Sequence, residues 1–246
     1  LLTYFGKELK QSQKSAHPGD YQTQADLASE KVILKILPKE LPDYNIFSEE
    51  QGFIDRSSKY TITVDPLCGT HQFVLEIPNF GVILSLRRDN QTQYGVLYEP
   101  IIKRLSFAQK GKGSYQQIDN GSMHKMRVNQ VNTIESSTIY LIVAFNTPRA
   151  KIRRLHNALF DAKVKRILRP WTAVTFNRLA AGCIEGIVCA DVGLHDFLAG
   201  KLICQESGAK ITHFGEDIDT NPNFVLSNTQ IHKKLVKIVK PIFKTL

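Results

Sequence analysis

Between Thr61 and Val74 the chain reads TITVDPLCGTHQFV, and this stretch limits the folds open to it more than any other. Four successive β-branched residues ask for a buried strand. The strand then runs into Asp65-Pro66, where proline removes a ladder donor, and on into Cys68-Gly69-Thr70. A strand stopped by an acid and a tight turn puts that acid at the end of a sheet, where functional side chains collect in layered α/β proteins. Turn chemistry explains the proline and the glycine. It does not explain the cysteine.

The rest of the chain supplies the layers. Residues 1 to about 16 read as the end of a polar helix, and His17-Pro18-Gly19-Asp20 as a turn. Thr23 and Asp26 have capping-box spacing, and Ala25, Ala28, Val32 and Ile36 follow as an apolar stripe, so a helix is expected that stops at Pro38. Tyr44–Ser48 is a short strand leading into Glu49-Glu50, and Tyr60–Val64 another leading into Asp65. Gly81–Leu86, Gln93–Tyr98 and Arg104–Gln109, joined by turns at Asp89-Asn90 and Glu99-Pro100, predict an antiparallel meander. Gln109–Gly113 is glycine-rich without Walker spacing and reads as a turn.

The second half alternates strand and helix. Strands are expected at Thr138–Ala144, Val164–Leu168, Gly186–Ala190, Ala209–Phe214 and Phe224–Ser227. Helices are expected at Pro148–Ala162, Thr172–Ala181, from His195 or Asp196 to Gly208, and over the basic terminus. With no repeat and no long linker, this predicts one layered α+β domain over residues 1–246, with halves at 1–130 and 131–246.

Composition narrows the function. The 246 residues are 42% hydrophobic, enough for a large core, and no run of about 18 apolar residues predicts a membrane span. Four cysteines without CxxC spacing point to a reducing cytoplasm. The net charge of +9 attracts phosphorylated small molecules and, equally, nucleic acid. The basic runs at Lys151–Arg154, Lys163–Arg169 and Lys233–Lys244 have no nucleic-acid signature beside them and read as solvated faces. Cys183, Cys189 and Cys204 read as core residues.

Three carboxylates, Glu49, Asp65 and Asp196, stand where strands give way to turns or helices. Converging in one cleft they repel, and a hard divalent cation relieves that repulsion; all-oxygen ligation suits magnesium. Each acid also has a plainer reading. Asp26 can simply cap its helix, Asp196 can complement a helix N-terminus, and Asp65-Pro66 can be only a turn.

The order of these elements resembles the inositol monophosphatase family: Asp26, then Ser48-Glu49-Glu50, then Asp65-Pro66-Leu67-Cys68-Gly69-Thr70 with Phe73, then His195-Asp196-Phe197-Leu198-Ala199-Gly200. Lys110–Tyr115, Asn120-Gly121, Ala180–Gly182 and Glu185-Gly186 extend the likeness over nearly the whole chain. The resemblance implies an αβαβα sugar-phosphatase fold, with the metal-binding residues mainly in the first half. It implies a magnesium-dependent phosphomonoesterase acting on a small sugar, inositol or nucleotide phosphate. Carried over by position, Glu49, Asp65 and the Leu67 carbonyl hold a first Mg2+, which Asp65 shares with a second held by Asp196. Thr70 and Asp26 orient and deprotonate the attacking water, the Gly69 and Thr70 amides hold the phosphate, and Asp191 and Thr172 lie against the substrate. A homodimer is the family's common state.

Four departures stand against a simple transfer. Cys68 replaces an aspartate that ligates the second metal, and a thiol is a poor partner for magnesium. His71-Gln72 replaces a small polar residue and an asparagine, His195 replaces a tryptophan, and Trp171-Thr172 stands where Gly-Ser or Gly-Thr is usual. Cys68 and His71 also have CxxH spacing, and with His195 could suit zinc; alternatively Cys68 is a reactive thiol with a lowered pKa. The sequence therefore leaves an enzyme, an impaired relative acting as a binding or regulatory protein, and a nucleic-acid binder as alternatives.

Overall fold

The computed structural model describes residues 1–17 and 19–244. The N-terminus differs from the expected polar helix. Residues 2–7 form irregular turns, because Leu1, Tyr4, Phe5 and Leu9 turn inward onto Ala25, Leu67, Phe73 and Phe80. Strand β1 (Gln11–Gln13) then pairs antiparallel with β2 (Tyr21–Thr23). Of the expected turn at 17–20, Pro18 lies outside the described residues, while Asp20 N–H donates to the His17 carbonyl at 2.9 Å.

Helix α1 (Gln24–Glu40) opens with the expected capping box but runs past Pro38. A proline this near the end removes only one bond of the last turn, and Leu41 N–H still donates to the Leu37 carbonyl at 2.8 Å. Its buried face also differs. Ile33, Leu34 and Leu37 pack on Ile46, Ile62 and Val64, whereas Val32 and Ile36 remain 59% and 52% exposed. The true seam passes through Ser29, whose hydroxyl donates to the Pro66 carbonyl at 2.7 Å. A polar residue in the seam made the neighbouring apolar line look continuous.

The first sheet has eight strands: β3 (Asn45–Ser48), β4 (Gly52–Ile54), β5 (Tyr60–Cys68), β6 (Gly81–Arg88), β7 (Gln91–Glu99), β8 (Arg104–Gln109), β9 (Gly113–Ile118) and β10 (His124–Lys125), in the order β10-β9-β8-β7-β6-β5-β3-β4. Only β3 and β5 pair in parallel; the predicted meander is β6–β8. Strand β5 does not end at Asp65. It continues to Cys68 through an irregularity that opens its pairing with β6, which accommodates Pro66 without costing a ladder bond. The one-turn helix α2 (Thr70–Val74) follows.

The second sheet holds β11 (Thr138–Val143), β12 (Arg166–Leu168), β13 (Gly186–Ala190), β14 (Lys210–His213) and β15 (Phe224–Ser227), ordered β12-β11-β13-β15-β14. Its helices are α3 (Arg149–Asp161), α4 (Phe176–Ala180), α5 (Leu194–Glu206) and α6 (His232–Phe243). The helix expected from Thr172 begins instead as a 3-10 turn at Ala173–Thr175, where the Thr175 hydroxyl donates to the Thr172 carbonyl at 2.7 Å and competes with helical pairing.

Hydrophobic contacts stack these elements in five layers. Helix α1 covers the first sheet, α4 and α5 fill the space between the sheets, and α3 and α6 cover the far face of the second. The sandwich is tight: a Cβ on Gly95 in β7 would meet the Ala199 carbonyl oxygen of α5 at 2.6 Å. The chain thus has the α+β layered architecture, αβαβα, that the resemblance implies. Two sequence readings change. Cys183 is exposed, while Cys189 and Cys204 are buried. Lys151, expected on a solvated face, is buried.

His232, at the start of α6, is buried between Thr212 Oγ1 (2.9 Å) and Ser227 Oγ (2.8 Å). Burial first, and then Lys210, lowers its pKa from 6.5 to about 4. Above pH 6.5 neither folded nor unfolded chain carries this proton. As pH falls from 6.5 toward 4 the unfolded chain binds it and the native one does not, so about 3 kcal/mol of stability is lost across that window. His232→Gln is expected to flatten this part of a stability–pH profile measured by urea unfolding; an unchanged slope would show that other groups cause it.

Candidate functional site

Four separate segments bring the site together at one edge of the sandwich. Glu49 follows β3 directly, its amide donating to the Val64 carbonyl at 3.1 Å, so parallel pairing fixes where it leaves the sheet. Asp65 sits at the irregularity of β5 and accepts the Leu67 amide at 3.1 Å. Gly69 then turns the chain at φ 93°, and a Cβ there would meet Thr172 Oγ1 at 2.9 Å, so only glycine suits the position. Asp196 lies in the first turn of α5 and accepts the Gly193 amide at 3.2 Å.

Thr70 Oγ1 donates to Asp26 Oδ1 at 2.9 Å, with the Leu67 carbonyl at 3.2 Å as a second acceptor. Asp26 Oδ2 accepts both the Thr23 amide (2.8 Å) and its hydroxyl (2.6 Å). Both readings of Asp26 therefore hold: it caps α1 and it holds Thr70. One cavity of about 580 Å³ takes in Glu49, Asp65, Leu67, Cys68, Gly69, Thr70, Thr172, Asp191 and Asp196. Asp26 lies behind Thr70 and does not line it.

Burial, then Glu49 and Asp196, push the Asp65 carboxyl well above its usual range. Burial also raises Asp196, against the pull of His195. At Glu49 burial acts upward, but His195 and Lys14 outweigh it and the net shift is down. Glu49 is thus favoured in its ionised form, while burial and the repulsion of its neighbours work against ionising Asp65. Lys14 on the β1–β2 hairpin donates to Glu49 (2.6 Å) and Glu50 (2.9 Å). Glu50 is pushed up to about 7, burial outweighing the hydrogen bond from Lys14.

This crowding is the fit test for a cation. Glu49, Asp65 and the Leu67 carbonyl offer hard oxygen, and a divalent ion there would relieve the repulsion that raises the Asp65 carboxyl. The second position fits less well. Asp65, Cys68 and Asp196 bring ligand atoms within 4.8 Å of one another, but the Cys68 thiol is raised well above its usual value by burial, then by Asp65 and Asp196. It stays a neutral thiol, accepting the Ala173 amide at 3.1 Å beside Thr172 Oγ1 at 3.5 Å. The reactive-thiol reading fails for that reason.

The zinc reading fails on geometry. His71 Nε2 meets the Gly19 carbonyl at 2.8 Å, so it carries the proton, and Nδ1 accepts the Tyr21 hydroxyl at 3.0 Å. The imidazole thus ties the hairpin to α2, and among the described residues His71 and His195 do not join Cys68 in a ligand cluster. Asp191 is also differently employed. Lys151 Nζ lies 2.9 Å from both its oxygens and Thr147 Oγ1 3.1 Å from one, so a buried cation already holds it. Sequence reading missed Lys14 and Lys151, since nothing local marks a lysine whose partner lies 35 to 40 residues away.

A family model described as the inositol monophosphatase family matches residues 1–242. The chain is 30% identical over 248 residues to an inositol-1-monophosphatase of Caulobacter vibrioides, spanning 96% of this chain and 94% of that one. It is 28% identical to the Nus factor SuhB of Pasteurella multocida, over 90% of this chain and 83% of that protein. Among solved structures, the extragenic suppressor protein suhB from Bartonella henselae superposes with a TM-score of 0.85 at 30% identity, over 95% of this chain and 89% of that one.

Proposed function

The chain belongs to the inositol monophosphatase family, and on that premise we propose that it is a magnesium-dependent phosphomonoesterase of a small sugar, inositol or nucleotide phosphate. The observation that carries the reading is the meeting of Glu49, Asp65 and Asp196 with the Thr70–Asp26 pair at one cavity edge. When bound, Mg2+ at Glu49, Asp65 and the Leu67 carbonyl would neutralise phosphate charge and acidify water. Thr70 Oγ orients the attacking water, and Asp26, its carboxyl raised chiefly by burial, accepts the proton passed through that hydroxyl. Water oxygen bonds to phosphorus as the ester bond breaks, and the leaving alkoxide takes up a proton to give alcohol and inorganic phosphate. Gly69 and Thr70 offer amides to the phosphate. Asp191, held by Lys151, and Thr172 border the alcohol.

A second reading, a binding or regulatory protein with little turnover, is favoured by the neutral Cys68 thiol at the second metal position. The Nus factor name of the Pasteurella relative belongs to that protein, but it makes the alternative worth testing. Phosphate release from a panel of monoesters, measured while magnesium is titrated to millimolar levels, separates the two. Magnesium-dependent release supports the enzyme; none from any ester supports the binding protein. A cytoplasmic homodimer with halves at 1–130 and 131–246 completes the proposal, and light scattering tests the dimer. Among the described residues no helix is long and apolar enough to cross a membrane.

A further inference from the structure

The cavity has an aromatic wall for which the hydrolytic chemistry has no use. Phe145 and Trp171 stack with ring centroids 5.7 Å apart and planes 24° off parallel, and each remains about two-fifths exposed. His71 lies 5.1 Å from the Phe145 ring and packs edge-on against Tyr21 at 4.7 Å. The Arg169 guanidinium sits 4.3 Å from the Trp171 ring centroid. These rings all border the same cavity as the acids.

The wall is built at a cost. Trp171 has φ 56°, a left-handed conformation that a bulky side chain adopts against steric strain. Gln72, one turn along from the Gly69–Thr70 bend, holds that loop by donating to the Pro170 carbonyl at 2.8 Å. A single residue, Thr172, separates the indole from contact with Cys68, so the aromatic face starts next to the phosphate-binding turn. An apolar core explains neither the exposure nor the strain. Polyol recognition has less to work with here, because both oxygens of Asp191 are engaged by Lys151.

We propose that this wall selects phosphate monoesters whose alcohol carries a flat aromatic ring, as nucleoside monophosphates do, over polyol phosphates such as inositol phosphate. The ring lies against Trp171 and Phe145, where every nucleobase can stack regardless of its edge, while the phosphate lies at Gly69 and Thr70. This rests on the phosphatase reading for its chemistry, but not for its recognition.

Trp171 is the only tryptophan in the chain, so its fluorescence reports the wall without interference. Adenosine and inositol, the two alcohols without phosphate, can be titrated against the protein at millimolar concentration, where no turnover occurs. Saturable quenching by adenosine and none by inositol is the expected result; equal responses, or none to adenosine, overturn the proposal. In parallel, kcat/KM for the adenosine monophosphates is divided by that for glycerol 2-phosphate, which has no ring. Phe145→Ala should lower this ratio about tenfold through KM, the loss typical of one stacking partner, and Trp171→Gly at least as much; an unchanged ratio in both variants overturns it. If adenosine quenches while no ester is hydrolysed, the phosphatase reading falls and the ring site stands. If glycerol 2-phosphate is hydrolysed while adenosine is silent, the ring site falls and the phosphatase stands.

Discussion

Thr70→Ala is expected to lower kcat by about two to four orders of magnitude, the range that one positioned proton-transfer group contributes, with little change in KM. The hydroxyl has two acceptors, Asp26 and the Leu67 carbonyl, and among the described residues the only other hydroxyl bonded to Asp26 is that of Thr23. Its loss leaves Asp26 Oδ1 without that partner, while Oδ2 keeps both bonds from Thr23. The cap of α1 therefore survives, and stability should fall by only about 1 kcal/mol. Thr70→Ser, which keeps the hydroxyl, should recover most of the rate. A Thr70→Ala protein that keeps its rate within a few-fold, or a serine variant as slow as the alanine one, would remove Thr70 from the proton path.

The comparison of Thr70 with Lys14 and Lys151 shows why some of the site could be read from the sequence and some could not. Asp65, Gly69 and Thr70 lie within one bend whose local geometry demands them, so their spacing is informative. Asp26 was legible because a capping box is a local motif. The two lysines act across long sequence separations, and their role is fixed by how the hairpin and α3 fold onto the acids. Similarly, the meander at β6–β8 was legible from alternation, whereas the N-terminal turns were set by tertiary packing of Leu1, Tyr4 and Phe5 onto α2 and its surroundings, which local propensity does not encode. The misread face of α1 has the same origin: Ser29 is polar by type but half-buried, held in the seam by its bond to the Pro66 carbonyl.

Cys68→Asp is expected to act in opposite directions with and without magnesium. In EDTA the new carboxylate joins Asp65 and Asp196, whose ligand atoms already lie within 4.8 Å of the sulfur. Two such charges repel by about 3 kcal/mol at an effective dielectric near 20, and proton uptake relieves part of that. A net loss of about 1–2 kcal/mol should lower Tm by about 2–8 °C for a chain of this size. The Ala173 amide and Thr172 hydroxyl, which now meet the thiol, can donate to the carboxylate, so the turn itself need not rearrange. Added magnesium binds the native state alone and restores stability by mass action, so the Tm gap to the parent should close or reverse. The rate should rise at least about tenfold if the missing oxygen limits the second metal. Cys68→Ser, similar in size but uncharged, should show neither effect. Magnesium that stabilises the aspartate variant no more than the parent would mean that Cys68 does not border a cation position. Strong stabilisation with an unchanged rate would move the limit on turnover from the second metal to the aromatic wall at Trp171.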